Sequence, residues 1–278
     1  MFNLNAQLIK ELPEGLWLAQ RGLFYADSLF ETIRVFEGKI PLMAAHWERL
    51  SQGLSQMGYA LPSFWSAVFF EQEILRVAPP NARVRLSVWR APGGLYLPEN
   101  NEPQFLIAAQ PLESGMYEWS DEGLQVGFCQ SVRLPIDAWS GWKTLNAARY
   151  VAAAQEARIR GWDDAVLLNA HERVCEATSS NIFWLESDGT LCTPPLADGC
   201  VTGVLRDLLL ALTKASGLAI TEKSANCDTI LEAREVFFTN AARGIRWVRA
   251  CEGTAYSHEQ TRRLHELMVT HLLGKTNA

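Results

Sequence analysis

Lysine is scarce in this chain: six stand among 278 residues, and the charge is carried mostly by arginine, aspartate and glutamate. A basic balance is missing too. The formal net charge is −6, so no broad basic face for nucleic acid is implied, although Arg83, Arg85 and Arg90 can still form a local anion pocket. The six cysteines, Cys129, Cys175, Cys192, Cys200, Cys227 and Cys251, form no CxxC pair. That spacing argues against a zinc site and a disulfide framework, and the thiols read as buried groups in a reducing compartment. No apolar run has the length of a membrane span. The first ten residues lack a basic segment followed by a long apolar one, and the expectation is a soluble cytoplasmic protein with no membrane partner. There is no GxGxxG and no GxxxxGK[ST], hence no dinucleotide fingerprint or phosphate loop of those kinds. Internal repeats and low-complexity tracts are absent as well. What remains is ordinary globular composition, 48% hydrophobic and 20% charged, long enough for a large core or two domains.

Against that scarcity, one lysine has an unusual setting. The stretch Gly141-Trp142-Lys143-Thr144-Leu145-Asn146-Ala147-Ala148-Arg149-Tyr150 sets Lys143 at the start of an alanine-rich run that reads as a helix through about Arg160. Trp142 and Leu145 can partly desolvate its amine. Desolvation lowers an ammonium pKa, and a neutral amine attacks carbonyls. Taken alone, the same stretch also reads as a lysine snorkelling at a helix start.

The N-terminal half alternates strand and helix patterns. Leu29 to Phe36 suits a strand, Glu37-Gly38-Lys39 a turn, and Met43 onward a helix with Leu54 and Met57 at helical spacing. Arg49 lies one turn beyond His46 on the same face. Its planar fork suits a phosphate, or equally a neighbouring carboxylate such as Glu48. Pro62 to Ala78 reads as a second helix; Arg83 to Arg90 and Gln104 to Gln110 read as strands. The mixture points to a small α+β domain over residues 1–112, with a linker at 113–118 and a larger α/β domain over 119–278.

In that second half, Val174 to Trp184 brings one acid, Glu176, into a small and apolar stretch. A buried carboxylate there needs a cation, a proton, or hydrogen bonds from neighbouring Ser and Asn groups. Thr202-Gly203 opens a helix running to Ala215 and exposes backbone N–H groups where an anion can bind. Glu235 to Asn240 is a strand entering a small-residue turn at Ala241, a second place for backbone to meet a phosphate. His258 to Leu273 reads as a closing amphipathic helix.

In this order, the blocks Phe30-Glu31-Thr32-Ile33-Arg34, His46-x-x-Arg49-Leu50, Lys143-x-Leu145-Asn146, Glu176-x-x-Ser179-Ser180-Asn181-Ile182-Phe183 and Gly203-Val204-Leu205-Arg206 resemble the class IV aminotransferases. These are the fold type IV enzymes of pyridoxal 5′-phosphate (PLP). The resemblance covers about Tyr25 to Val248. It implies a two-domain fold like that of D-amino-acid aminotransferase, with PLP between a small α+β and a larger α/β domain, and a homodimer with the site near its interface. Lys143 would form the Schiff base with PLP and then move the substrate proton. Glu176 would keep the pyridine nitrogen protonated. Arg49, the backbone of Val204 and Leu205, and the Asn240-Ala241 turn would hold the phosphate. Tyr25 and Phe30 would wall the pocket, and Arg90 would meet a substrate carboxylate. No metal is implied.

Three family reactions compete. Lys143-x-Leu145-Asn146 is similar to aminodeoxychorismate lyase and D-amino-acid aminotransferase, whereas the branched-chain enzymes tend to carry a glycine-containing stretch there. The Asn240-Ala241 turn is similar to the lyase pattern, and Thr32 suits a lyase that relays a proton to its leaving fragment. Ala26-Asp27-Ser28 departs from Gly-Asp-Gly, and Arg243-Gly244-Ile245-Arg246-Trp247 departs from a proline-containing stretch. Those two arginines could edge a dicarboxylate site or be exposed charges. The resemblance implies a lyase that converts 4-amino-4-deoxychorismate to p-aminobenzoate and pyruvate in folate synthesis; a D-amino-acid or branched-chain aminotransferase is the alternative.

Overall fold

A computed structural model describes residues 1–13, 16, 20–113 and 116–274. The chain packs as two compact units, one made of Met1–Met116 with Trp142–Asn146, the other of Tyr117–Gly141 with Ala147–Ala278. Of the expected linker at 113–118, residues 114 and 115 lie outside the described residues.

The first unit contains β1 (Phe2–Leu4), β2 (Gln7–Ile9), α1 (Arg21–Tyr25), β3 (Ser28–Val35), α2 (Met43–Gln56), α3 (Ala67–Leu75), β4 (Ala82–Arg90) and β5 (Pro103–Pro111). Its sheet runs in the order β2-β1-β5-β4-β3, every pair antiparallel. Side chains alternate across such a sheet, so each strand contributes to two faces. Leu29, Ile33, Val35, Val84, Leu86, Val88, Phe105 and Ile107 share a core with Leu50 and Leu54 of α2 and Phe70 and Ile74 of α3. Each such burial removes apolar surface worth roughly 1.5–3 kcal/mol from water. The opposite face carries Phe30 and Thr32, which register against Ser87 and Arg85. Where Pro62 to Ala78 was expected as one helix, α3 begins only at Ala67. The Ser66 hydroxyl accepts the Phe69 N–H at 3.1 Å and caps the first turn there.

The Lys143 segment departs further from expectation. It is extended, and the alanine-rich helix starts only at Ala148. The Phe30 N–H donates to the Lys143 carbonyl at 2.9 Å and the Leu145 N–H donates to the Ser28 carbonyl at 3.2 Å. Thr144 thus lies against Leu29 on the free edge of β3. These bonds satisfy backbone groups on that edge, and the segment belongs to the first unit although its chain neighbours belong to the second.

The second unit contains β6 (Leu124–Phe128), α4 (Ala148–Arg160), β7 (Asp164–Leu168), β8 (Val174–Ala177), β9 (Asn181–Leu185), β10 (Leu191–Thr193), α5 (Val204–Ala215), β11 (Ile220–Glu222), α6 (Cys227–Leu231), β12 (Glu235–Asn240), β13 (Gly244–Cys251), β14 (Thr254–Ala255) and α7 (Glu259–Leu272). The sheet follows β11-β10-β9-β12-β13-β6-β7-β8, and β8 pairs back with β9. That return closes β9, β12, β13, β6, β7 and β8 into a ring. Every residue of β7, β8 and β9 is buried, which is why their apolar residues are not interrupted by alternation and the polar ones are confined to Asp164, Glu176 and Asn181. Helices α5 and α7 pack on each other and on β12. Five of the six cysteines are buried, and Cys227 is half-buried. No helix among the described residues is long and apolar enough to cross a membrane. Together the two units make a mixed α+β and α/β architecture.

Candidate active site

In the first unit the site begins at the edge of β3. The Lys143 Nζ stands 4.6 Å from the centroid of the Phe30 ring, and the Arg85 guanidinium stands 3.8 Å from the same ring. Both cations meet one aromatic ring, whose π-system attracts positive charge without neutralising it. Thr32 lies directly opposite Arg85 in the β3–β4 register, and Arg83 is the next residue on that face of β4. Burial, then the nearby Arg83 charge, push the Arg85 pKa below its ordinary value. A face with two neighbouring arginines and a lysine favours an anion. The sequence offered Arg85 together with Arg83 and Arg90 as a local anion pocket without choosing among them. Its parity with Phe30 and Thr32 sets it apart, and that requires the strand register.

Behind the sheet lies a buried array. Glu31 accepts the Arg49 Nε–H at 2.7 Å, a second bond from the Arg49 Nη2, and a contact at 2.7 Å from the His46 Nδ1. Burial raises the Glu31 carboxyl, but the Arg49 charge and the His46 hydrogen bond overcome it and hold the pKa at about 2. Burial chiefly lowers the His46 pKa, so the ring is neutral and its Nδ1–H donates to the carboxylate. The one-turn spacing of His46 and Arg49 therefore has a physical purpose: both reach Glu31. Arg49 was expected on a phosphate, and the structure ties its fork to Glu31.

Arg90 was expected on a substrate carboxylate. It is only 4% exposed. Its Nε–H donates to Asp27 at 2.9 Å, its Nη2 to the Met57 carbonyl at 2.7 Å and its Nη1 to Asn101, while the guanidinium lies 4.1 Å over the Tyr59 ring. Asp27 also accepts from Arg21 at 2.8 Å. Arg90 is thus a tie between α2, β4 and the Asp27 turn, because an even-numbered strand position puts it on the face opposite Arg85. Tyr25 is a rim residue of α1: its ring lies 5.7 Å from that of Tyr96.

In the second unit Glu176 is buried on β8. It accepts the Tyr150 hydroxyl at 2.7 Å and the Val201 N–H at 3.0 Å. Burial and then the Glu176 charge push the Tyr150 pKa up, so the phenol stays protonated as the donor. Asn181 donates to the Val201 carbonyl at 2.8 Å. A Cβ added to Gly203 would lie 1.8 Å from Asn181 Oδ1, so only glycine lets the backbone come this close. Gly203 is the N-cap of α5 and no side chain caps it. The first N–H groups of that helix, at the buried Val204 and Leu205, are therefore a place for an anion. At the other turn, the Asn240 Oδ1 accepts the N–H groups of Ala242 at 3.0 Å and Arg243 at 2.8 Å, and its Nδ2 donates to Ser180 Oγ at 2.9 Å. The Asn240 side chain builds the turn, Asn240 pairs with Gly244, and the Ala241 carbonyl accepts the Tyr117 hydroxyl at 2.8 Å. Arg243 is exposed and Arg246 half-buried.

The pattern of the amino-transferase class IV family matches residues 28–251, the span that holds all of these groups except Arg21, Tyr25 and Asp27. The chain belongs to the class IV aminotransferases. Within the family it is similar to a protein assigned as a branched-chain-amino-acid aminotransferase in Methanocaldococcus jannaschii, 29% identical over 92% of this chain and 90% of that protein. It is equally similar to the aminodeoxychorismate lyase of Vibrio harveyi, 29% identical over 88% of this chain and 89% of the relative. Its fold superposes on the branched-chain amino acid aminotransferase of Thermobaculum terrenum in its PLP form at a TM-score of 0.84, with 19% identity, over 99% of this chain and 94% of the other. Class IV membership agrees with the resemblance read from the ordered motifs. Glu31, Arg85 and Tyr150 are the groups that motif reading did not assign. Glu31 left a local signal, an acid in line with the inward-facing Leu29, Ile33 and Val35.

Proposed function

We propose that this class IV aminotransferase homologue is a PLP enzyme acting on an amino substrate with two carboxylates, and that it eliminates pyruvate from 4-amino-4-deoxychorismate to leave p-aminobenzoate. The residues fit PLP. A lysine amine stands over the Phe30 ring, a buried carboxylate suits a cationic ring nitrogen, and a helix N-terminus with no side-chain cap has a glycine cradle suited to a phosphate. When bound, PLP supplies an electron sink for a carbanion at the substrate α-carbon.

The chain's own groups then have separate tasks. Lys143 binds the cofactor through Nζ and afterwards holds and moves the α-proton. Glu176, oriented by Tyr150 and the Val201 N–H, keeps the ring nitrogen protonated by charge pairing. The N–H groups of Val204 and Leu205 and the backbone at Asn240 and Ala241 hold the phosphate, with Arg49 as a further donor whose orientation Glu31 sets. Phe30 walls the site, and Arg85 replaces Arg90 as the carboxylate partner. The Thr32 hydroxyl passes a proton to the departing fragment. The observation that carries the lyase reading is Thr32 opposite Arg85 on the Lys143 face: a proton relay beside a carboxylate anchor.

An aminotransferase is the second reading, favoured by the name of the archaeal relative. The two part after the first proton transfer. The test is p-aminobenzoate release by PLP-loaded protein given freshly generated aminodeoxychorismate, with Thr32→Val and Lys143→Ala as controls. Release that depends on both residues supports the lyase. No release, with transamination of an amino donor to 2-oxoglutarate, supports the aminotransferase.

The proposed unit is a cytoplasmic homodimer. Leu23, Phe24, Leu95, Tyr96 and Leu97 are 63%, 62%, 74%, 91% and 84% exposed. Arg21 gathers them by donating to the Leu95 carbonyl at 2.5 Å. An apolar patch of this kind is an interaction surface, and Tyr96→Glu should shift the mass measured by light scattering from two chains to one.

A further inference from the structure

The second unit holds a cavity of about 340 Å³ that takes no part in the proposed chemistry. It lies at the far end of the strands that carry the candidate site. Asn181 of β9 pairs with Thr239 of β12, whereas Leu185 of β9, a cavity residue, pairs with Glu235 of β12. Four strand residues span roughly 13 Å. The same separation runs along α5, whose first turn holds Val204 and Leu205 while Thr213, near its other end, lines the cavity; nine helical residues rise about 13 Å.

The cavity has a graded lining. Its walls are Leu185, Leu191 and Leu264, all buried. Its rim carries Arg234 and Arg263, both exposed, and neither makes an ion pair among the described residues. Two carboxylates also line it. Glu235 is committed, accepting the Gln260 N–H at 2.9 Å and the Thr261 N–H and hydroxyl at 2.7 Å each. Glu259, exposed at the rim, is held by Ser257 and by backbone N–H groups at the start of α7, so both carboxylates are already engaged by neighbours while the two guanidinium groups are not paired with either. Within, Thr213 is 0% exposed and its Oγ1 has no hydrogen-bond partner among the described residues. An unsatisfied buried hydroxyl costs roughly 1–3 kcal/mol, and a ligand that reaches it removes that cost. The volume is at the small end of ligand pockets, enough for a single substituted ring.

We propose that this cavity is a second binding site for a small aromatic carboxylate: the carboxylate at Arg263 and Arg234, the ring between the leucines, and a polar group opposite the carboxylate at the Thr213 hydroxyl. The site is separate from the residues assigned to the cofactor, and the proposal stands whether the enzyme is a lyase or an aminotransferase.

The test is calorimetric titration of the PLP-loaded full chain with 4-hydroxybenzoate and with 4-methylbenzoate, which has the same shape but no polar tail. Wild type should bind the hydroxy acid about fivefold more tightly. Arg263→Ala, at an exposed position, should weaken both acids about tenfold. Thr213→Val keeps the side-chain shape; it should melt no lower than wild type and remove the preference between the two acids. Failure of wild type to bind 4-hydroxybenzoate would overturn the proposal. Binding that survives both variants unchanged would overturn it as well, because the acid would then be seated elsewhere.

Discussion

Lys143 and Phe30 are held together twice: the Phe30 N–H donates to the Lys143 carbonyl at 2.9 Å, and the Lys143 Nζ lies 4.6 Å from the Phe30 ring centroid. The amine is positioned by a strand edge rather than by a flexible loop, so its reach is set by the sheet. Lys143→Ala should therefore lose the visible absorbance of the PLP-loaded protein and on the order of a thousandfold or more of turnover. Titration of the variant with PLP, followed by absorbance, checks this; a spectrum identical to wild type would remove Lys143 from the site.

Arg85 and Arg90 lie on opposite faces of β4 and should separate in a pair of variants. Arg85→Gln should raise KM about tenfold with little change in Tm, since it removes one charged anchor. Arg90→Ala should instead lower stability by about 3 kcal/mol, because it strips Asp27 of a buried partner. Steady-state kinetics beside thermal melts decide the matter, and the reverse pattern would restore Arg90 to the substrate.

Glu176→Gln keeps the shape that Tyr150 and Val201 recognise while removing the charge. PLP should still bind, and turnover should fall roughly a hundredfold. Wild-type turnover in that variant would end the electrostatic role assigned to Glu176.

Gly203→Ala would drive a methyl group into Asn181 Oδ1. The expected cost is about 1–3 kcal/mol of stability together with weaker PLP retention, because α5 must shift at its first turn. Asn181→Ala in the same chain should recover part of both losses if the contact is the cause, as read by melting temperature and by dialysis against buffer without cofactor.

Acid should unfold this protein early. Glu31 holds its folded pKa at about 2, below the ordinary carboxylate value near 4.5. A depressed carboxylate contributes stability that is present above the unfolded pKa and is lost as pH falls from about 4.5 toward 2, about 3 kcal/mol for this group. His46 and His265, both lowered chiefly by burial, act in the same direction at higher pH. Each is neutral when folded, and its contribution is lost as pH falls below its ordinary value near 6.5. Denaturant midpoints measured between pH 7 and pH 3 should fall in two stages, and Glu31→Gln should flatten the lower one.

Much of the framework is legible in the chain. The two-residue period of Leu29 to Val35 and the spacing of His46 and Arg49 both follow from local geometry, and β3 and α2 lie where that geometry puts them. The period even separates Arg85 from Arg90 by face. What it could not supply is which face looks toward Lys143, because that depends on a strand edge formed by residues more than a hundred positions away. The alanine-rich run after Lys143 favours helix by propensity, yet the hydrogen bonds to Ser28 and Phe30 hold the preceding residues extended. Tertiary pairing overrides local preference there.

The sequence by itself determined the ordered set of chemical groups, from Thr32 and Arg49 through Lys143 and Glu176 to the Gly203 turn, because residue identity and short spacing carry that information. Only the tertiary structure decided their partners: Arg49 on Glu31, Arg90 on Asp27, Arg85 and Lys143 on one phenyl ring. The reason is physical. A side chain's reach is a few ångströms, and which groups fall within it depends on strand register and helix packing that join distant parts of the chain.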